Sequence, residues 1–302
     1  METLKGQKLT KACRVRVVAP AGPFAKVQFF HGIARLQSWG LHPTWREDVF
    51  ESENFWAGSD ERRAAEFNEA IVDEKCRAVF CARGGYGSIR ILDRIDIPSV
   101  ANNPKPVIGF SDNTALILYL YAKCGLASIH GPMPAGEQFS MMKPEVESWF
   151  QKCLFCSEAP GDMPLFQTKI VKSGRTSGRI IAGNMTIIIH LLAAGLMPDP
   201  TDCILFLEDV NESDYRIDRM LCTLKLAGVL ERIRGIVFGE YLPTRKTDLR
   251  RIVEDYAKYI NGPVLIRGPL GHGEVNVPIP VGTMAELDAD ASRLTILESV
   301  VC

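Results

Sequence analysis

The stretch Pro106-Val107-Ile108-Gly109-Phe110-Ser111-Asp112-Asn113-Thr114 is an apolar run that stops at a serine and passes at once into a second apolar run, Ala115 to Cys124. It reads as strand, sharp turn and helix. A serine on such a turn presents its hydroxyl at the top of a sheet, and the free amides opening the next helix point at whatever that hydroxyl attacks. This is the geometry of a nucleophile elbow. Gly109 lets the backbone turn without a side chain in the way. The match to G-x-S-x-G is incomplete, because Asn113 stands where the second glycine would be. The plainer reading is that Ser111 caps the helix and Asp112 complements its dipole.

Upstream, Val15-Arg16-Val17-Val18-Ala19 is a strand ended by Pro20-Ala21-Gly22-Pro23. Val27, Phe30, Ala34 and Leu36 recur near helical spacing up to Gly40, and a second helix opens at Ser59 with Ala64, Phe67 and Ile71 inward. Arg77 to Ala82 is the next strand, running into Arg83-Gly84-Gly85-Tyr86-Gly87, and Ser88 to Arg94 is a helix that leads on to the elbow. Downstream come a strand at Ala127 to Pro132 and a helix through Trp149 and Phe150. Alternating strands and helices predict an α/β fold with a Rossmann-like, mostly parallel N-terminal sheet covered by helices on both faces.

Ser157 to Ser177 follows neither period and divides the chain into an N-terminal domain of residues 1–157, a linker of 158–177 and a C-terminal domain of 178–302. In the latter, strands are expected at Gly178 to Ala182, Cys203 to Leu207, Gly235 to Tyr241 and Val264 to Ile266. A helix runs from the turn at Gly183-Asn184 to Gly195, and others cover Tyr215 to Gly228 and Leu249 to Ile260. The tail from Val281 to Val301 alternates as antiparallel strands do.

With 35 Lys+Arg against 36 Asp+Glu there is no global basic field to bind nucleic acid or anionic lipid. Arg14 and Arg16 interrupt any apolar signal-peptide core, and Ile180 to Pro198 holds too many polar residues and glycines for a membrane span. The expectation is a cytoplasmic protein that meets neither membrane nor nucleic acid. The nine cysteines form an odd set without a dense framework, and Cys153 and Cys156 lie in an amphipathic run with no second ligand pair nearby. Most read as small buried hydrophobes, and a redox pair or half a zinc site is the weaker alternative for Cys153 and Cys156.

Four glycine-bearing turns follow strands, at Gly22, at Gly84 to Gly87, at the elbow and around His272, and ligands in open α/β sheets bind beyond such strand ends. Gly84 to Gly87 could cradle a phosphate but matches no nucleotide fingerprint. His31, His42 and His190 read as structural or exposed, and His130 as either. His272, between glycines, is free to project from its loop. No H-x-x-x-H or H-E-x-x-H is present, so no metal and no cofactor is expected. Glu208 and Asp209 end an apolar strand, and strand alternation lets only one of them face a given site. Alternatively both pair with Arg216 and Arg219. Serine, acid and histidine are the types needed for a nucleophile, an orienter and a general base.

Arg83-Gly84-Gly85-Tyr86-Gly87, Gly109-Phe110-Ser111-Asp112, Leu207-Glu208-Asp209 with Tyr215-Arg216-Ile217-Asp218-Arg219, and Gly271-His272-Gly273 with Asn276 and Pro278 resemble, in this order, the LD-carboxypeptidase family of serine peptidases. The likeness runs from Val17 to about Asp288. It implies a triad of Ser111, His272 and Glu208, an oxyanion hole from the amides of Asp112 and Gly85, and a site between an α/β N-terminal domain and a β-rich C-terminal one. It also implies a homodimer without a metal, acting on murein tetrapeptide. Family members that cleave aminoacyl-nucleotide antibiotics of the microcin C kind are the alternative. A silent binding protein, with Ser111 only a cap, is the rival of another class. Arg83, placed before the glycine turn, is the candidate clamp for a substrate carboxylate.

Overall fold

The computed structural model describes residues 2–240 and 249–302 and is an α/β structure built on two sheets. The first takes β1 (Arg14–Val18), β2 (His42–Thr44), β3 (Cys76–Cys81), β4 (Val107–Gly109) and β5 (Ser128–His130), all parallel, in the order β5-β4-β3-β1-β2. The second takes β6 (Gly161–Asp162), β7 (Lys169–Lys172), β8 (Arg175–Asn184), β9 (Cys203–Glu208), β10 (Gly235–Gly239) and β11 (Val264–Gly268). After these, β12 (Ile279–Val281) returns to the first sheet, antiparallel to β5, and β13 (Met284–Asp288) and β14 (Arg293–Ile296) complete the second. Tyr241, expected to end a strand, lies outside the described residues.

Burial follows strand role. Every residue of β9 and β10, parallel and central, is buried, whereas antiparallel β13 alternates buried Ala285 and Leu287 with partly exposed Met284, Glu286 and Asp288. Residues 158–177, read as a linker, hold β6 and β7, which form the two edges of the second sheet, and the first residues of β8. Short, half-solvated edge strands carry no clear alternation, which is why the period was silent there.

The helix Asp60–Val72 is capped by Ser59, whose side chain accepts the Arg62 N–H, with Ala64, Phe67 and Ile71 buried. In helix Lys26–Ser38 the expected stripe holds only at Leu36, which is buried: Val27 and Phe30 are 63 % and 47 % exposed and Ala34 is exposed, while Phe29 and Ile33 face the core with Leu36. The helix carries apolar residues on both stripes, so spacing alone did not choose; Phe29 wins by stacking on Phe24 and meeting Trp45 and Phe50 edge-on. Among the described residues no helix is long and apolar enough to cross a membrane. Cys153 is buried, its thiol pushed up by burial, while Cys156 is exposed at the helix end.

Helix Thr114–Cys124 is apolar all round because it lies between the sheets, packing on β4 and β5 below and on β8 and helix Met185–Ala193 above. At its start Thr114 Oγ1 accepts the Asn184 N–H at 3.0 Å, and a Cβ on Gly183 would collide with Thr114 Cγ2. Gly183→Ala is therefore expected to cost about 1–3 kcal/mol by overpacking. Thr114→Ser, which deletes the methyl but keeps the hydroxyl, should recover most of that loss in a double-mutant denaturation cycle. Additive losses would show that the two residues do not meet as described.

Candidate active site

β4 ends at Gly109, Phe110 stays extended, and Ser111 turns into the left-handed region at φ 61°, opening a short 3-10 turn that runs into helix Thr114–Cys124. A non-glycine residue there is strained by roughly 1–2 kcal/mol and persists only when its surroundings hold it. Ser111 does not act as the helix cap. Phe110 and Asn113 occupy the two N-cap positions, and the Ser111 Oγ instead lies 3.1 Å from His272 Nε2. Asn113 explains its departure from the glycine pattern: its Nδ2 donates to the Arg83 carbonyl at 2.9 Å and to Met133 Sδ at 3.2 Å, tying the elbow to the neighbouring loop.

β9 delivers Glu208 and Asp209 to opposite sides. Glu208 is fully buried, paired in register with Asn184 of β8, and its Oε2 lies 2.6 Å from His272 Nδ1. Burial pushes its carboxyl up, but the bond and charge of His272 outweigh this and hold it below the usual range. Burial likewise lowers His272, and Glu208 more than offsets it, so the imidazole sits above its ordinary 6.5. Asp209 turns away. It accepts from Asn184 Nδ2, from the N–H and hydroxyl of Thr186 and from the Val210 N–H, fixing the start of helix Met185–Ala193. The alternative pairing of both acids with arginines does not occur: Arg216 binds Glu212 and Arg219 lies over the Tyr215 ring.

The glycines beside His272 have a different purpose from the freedom read into them. Gly271, at φ 95°, brings the chain so close that a Cβ would lie 2.5 Å from Glu208 Cβ, and a Cβ on Gly273 would collide with Glu240 Oε2. The loop is pinned. Gln138 Nε2 donates to the carbonyls on both sides of the histidine, Gly271 at 2.9 Å and Gly273 at 2.6 Å. Asn276 closes the set, accepting the Gly271 N–H at 3.1 Å and donating to Gln138 Oε1 at 3.2 Å. Gln138 carried no signal in the sequence, since it acts on backbone groups 133 and 135 positions away.

The loop after β3 packs on the serine: a Cβ on Gly84 would lie 2.9 Å from Ser111 Cβ. Two charged side chains of helix Asp60–Val72, both buried and both missed by sequence reasoning, hold the neighbouring turns. Arg63 donates to the carbonyls of Pro20 and Gly87, and Glu66 accepts the Ala19 N–H. Asp112 is buried, its Oδ2 accepting the Ser88 N–H at 2.8 Å. Gly85, at φ 105°, lines with Ser111, Asp112, Thr186, Asp209 and Glu212 a cavity of about 380 Å³. Arg83 is exposed, and its Nη1 donates to the Pro23 carbonyl at 2.7 Å.

His130 is fully buried with its ring edge-on to Phe110, and burial, against the pull of Glu208, drops its pKa to about 4. It stays neutral. His31, His42 and His190 are exposed, though His190 borders the Ser111 cavity. Another hollow, of about 680 Å³ between Tyr121, Arg179 and Asp202, lies by the amino end of β9 and far along that strand from Glu208. Ser111, Glu208, His272 and the Gly84 turn all sit beyond carboxyl ends of parallel strands, where α/β sheets bind their ligands.

Family models for the LD-carboxypeptidase N-terminal and C-terminal domains match residues 15–131 and 177–287. The chain is 33 % identical to a Synechocystis sp. protein that bears a carboxypeptidase name, over 94 % of each chain. It is 28 % identical to the microcin C7 self-immunity protein MccF of Escherichia coli, over 93 % of this chain and 91 % of that one. The solved muramoyltetrapeptide carboxypeptidase of Oxalobacter formigenes superposes with a TM-score of 0.83 at 25 % identity, covering 94 % of this chain and 97 % of its own. The chain belongs to the LD-carboxypeptidase family and is a serine-type carboxypeptidase.

Proposed function

We propose that this carboxypeptidase releases the terminal D-amino acid from the L-centre of a murein tetrapeptide, in peptidoglycan recycling, through an acyl-enzyme on Ser111. The observation that carries this reading is the continuous run of hydrogen bonds from Ser111 Oγ to His272 Nε2 at 3.1 Å and from His272 Nδ1 to Glu208 Oε2 at 2.6 Å. In that reading His272 takes the hydroxyl proton as Oγ attacks the scissile carbonyl carbon. The amides of Asp112, next to the serine in the chain, and of Gly85, which lines the same cavity, would donate to the oxyanion. His272 then hands its proton to the leaving nitrogen, the C–N bond breaks, and a water activated by the same imidazole hydrolyses the ester. Glu208 fixes the tautomer that bares Nε2 and stabilises the imidazolium.

The name of the Oxalobacter relative supports the murein substrate, and the MccF likeness supports an aminoacyl-nucleotide amide as the second one. Offering both to the purified enzyme and following the released amine by chromatography decides between them. That Arg83 donates to the Pro23 carbonyl and does not line the Ser111 cavity supports a bracing role for it in place of a clamp.

Ser111→Ala should lose about six orders of magnitude in kcat with the circular dichroism spectrum unchanged, as expected when a triad nucleophile is removed. Near-normal turnover in that variant ends the acyl-enzyme reading.

Neutral His272 is the form that accepts the serine proton, so kcat/KM should fall as pH drops through its pKa. Because Glu208 raises that pKa, the acid limb should lie above 6.5 in the wild type. Glu208→Gln removes the raising charge and leaves the burial, so the limb should move to lower pH while the rate drops by about 10⁴-fold. The rate of Ser111 labelling by a fluorophosphonate, measured against pH, reads both effects; an unmoved limb contradicts them.

Gln138→Ala should lower kcat about tenfold, because misplacing a proton-transfer group costs rate. A change confined to KM would mean that Gln138 does not set the His272 loop.

A further inference from the structure

Two cavities flank the Ser111–His272 hydrogen bond, and they differ in charge. The one beside Ser111 is lined by the acids Asp112, Asp209 and Glu212 and, among the described residues, by no Lys or Arg. The one beside His272, of about 480 Å³, brings Lys143 onto the same wall system as the imidazole. Lys143 is thus the one Lys or Arg that borders either cavity among the described residues.

Which part of a substrate occupies which cavity follows from the proton path. His272 gives its proton to the leaving nitrogen, so the departing residue lies on the His272 side of the serine and the acyl part on the other. The departing residue of a carboxypeptidase substrate carries one obligatory charge, the terminal carboxylate, whose desolvation calls for a cation or several amide donors. The acid-lined cavity would repel it. The His272 cavity also holds Glu137 and Glu274, and the Lys143 ammonium is 3.2 Å from Glu274 Oε1. That pair is open to water, with the two side chains 50 % and 85 % exposed, so it is screened and readily exchanged for a substrate carboxylate. Gln138, on the segment that leads to Lys143, donates to both carbonyls around His272, so this wall is tied directly to the histidine loop.

We propose that the cavity bordered by Gln138, Lys143, Val146, His272 and Asn276 is the subsite for the departing residue and that Lys143 binds its terminal carboxylate. This rests on the carboxypeptidase reading above and deepens it: it makes Lys143 the group that confines cleavage to a free carboxyl end.

The test compares a tetrapeptide substrate with its C-terminal amide. Wild-type enzyme should prefer the free acid by roughly 10- to 100-fold in kcat/KM, the range expected for a hydrogen bond to a charged group. Lys143→Met should lose that preference, by losing activity on the acid alone, and Lys143→Arg should keep most of it. Lys143 is half-exposed, so unchanged melting temperatures are expected for both variants. A Lys143→Met enzyme that still prefers the acid overturns the assignment and leaves the carboxypeptidase reading standing. Equal cleavage of acid and amide by wild type also overturns it. Failure of wild-type enzyme to release the terminal residue from either peptide, while Ser111 still reacts with a fluorophosphonate, overturns the tetrapeptide reading and this inference with it.

Discussion

A carboxylate wholly removed from water must be paired, and Glu208 has a single strong partner, the His272 ring 2.6 Å away. Removing the histidine from such a pair costs about 3–5 kcal/mol, since the buried carboxylate is left charged and uncompensated. The contact that orients the imidazole toward Ser111 is therefore also one the fold relies on. The surroundings follow from it: β9 must run deep enough to bury the acid, Gly271 must be bare for the chain to press against it, and Gln138 with Asn276 must keep the loop from swinging the ring away.

On the serine side the constraint is backbone strain. Ser111 sits at positive φ because the elbow is boxed in by the Gly84 turn, by Asn113 reaching the Arg83 carbonyl and by the wholly buried opening of helix Thr114–Cys124. The Gly84 turn and the neighbouring loop after β1 are held in their turn by buried Arg63 and Glu66 of helix Asp60–Val72. Charged groups buried against main-chain carbonyls and amides give direction to loops that have no regular structure of their own.

The parallel strands and the elbow were legible because β-branched runs broken by glycine and serine leave a local trace. Ser111 and His272 could be singled out as chemical types at strand ends. Which of Glu208 and Asp209 faces the histidine could not be had from alternation, which says only that they differ; the family likeness decided it. Gln138, Arg63 and Glu66 were illegible because their partners are backbone atoms remote in the chain, which leave no pattern in side-chain identity. The edge strands at 161–162 and 169–172 were lost because half their surface is solvated and neither is long enough to show a period. The face of helix Lys26–Ser38 was misjudged where two apolar stripes competed and only tertiary packing chose.

β12 carries the chain back from the second sheet to the edge of the first, immediately after the loop that bears His272. Ser111 and His272 are 161 positions apart, and the strand that locks them into one body lies later still. Contacts so remote in sequence form late, after the entropy of closing a long loop has been overcome. A ribosome therefore makes the serine long before the histidine and the strands that complete its surroundings. The chain between the two residues builds most of the second sheet, so the Ser111–His272 contact is one that only the assembled pair of sheets can hold.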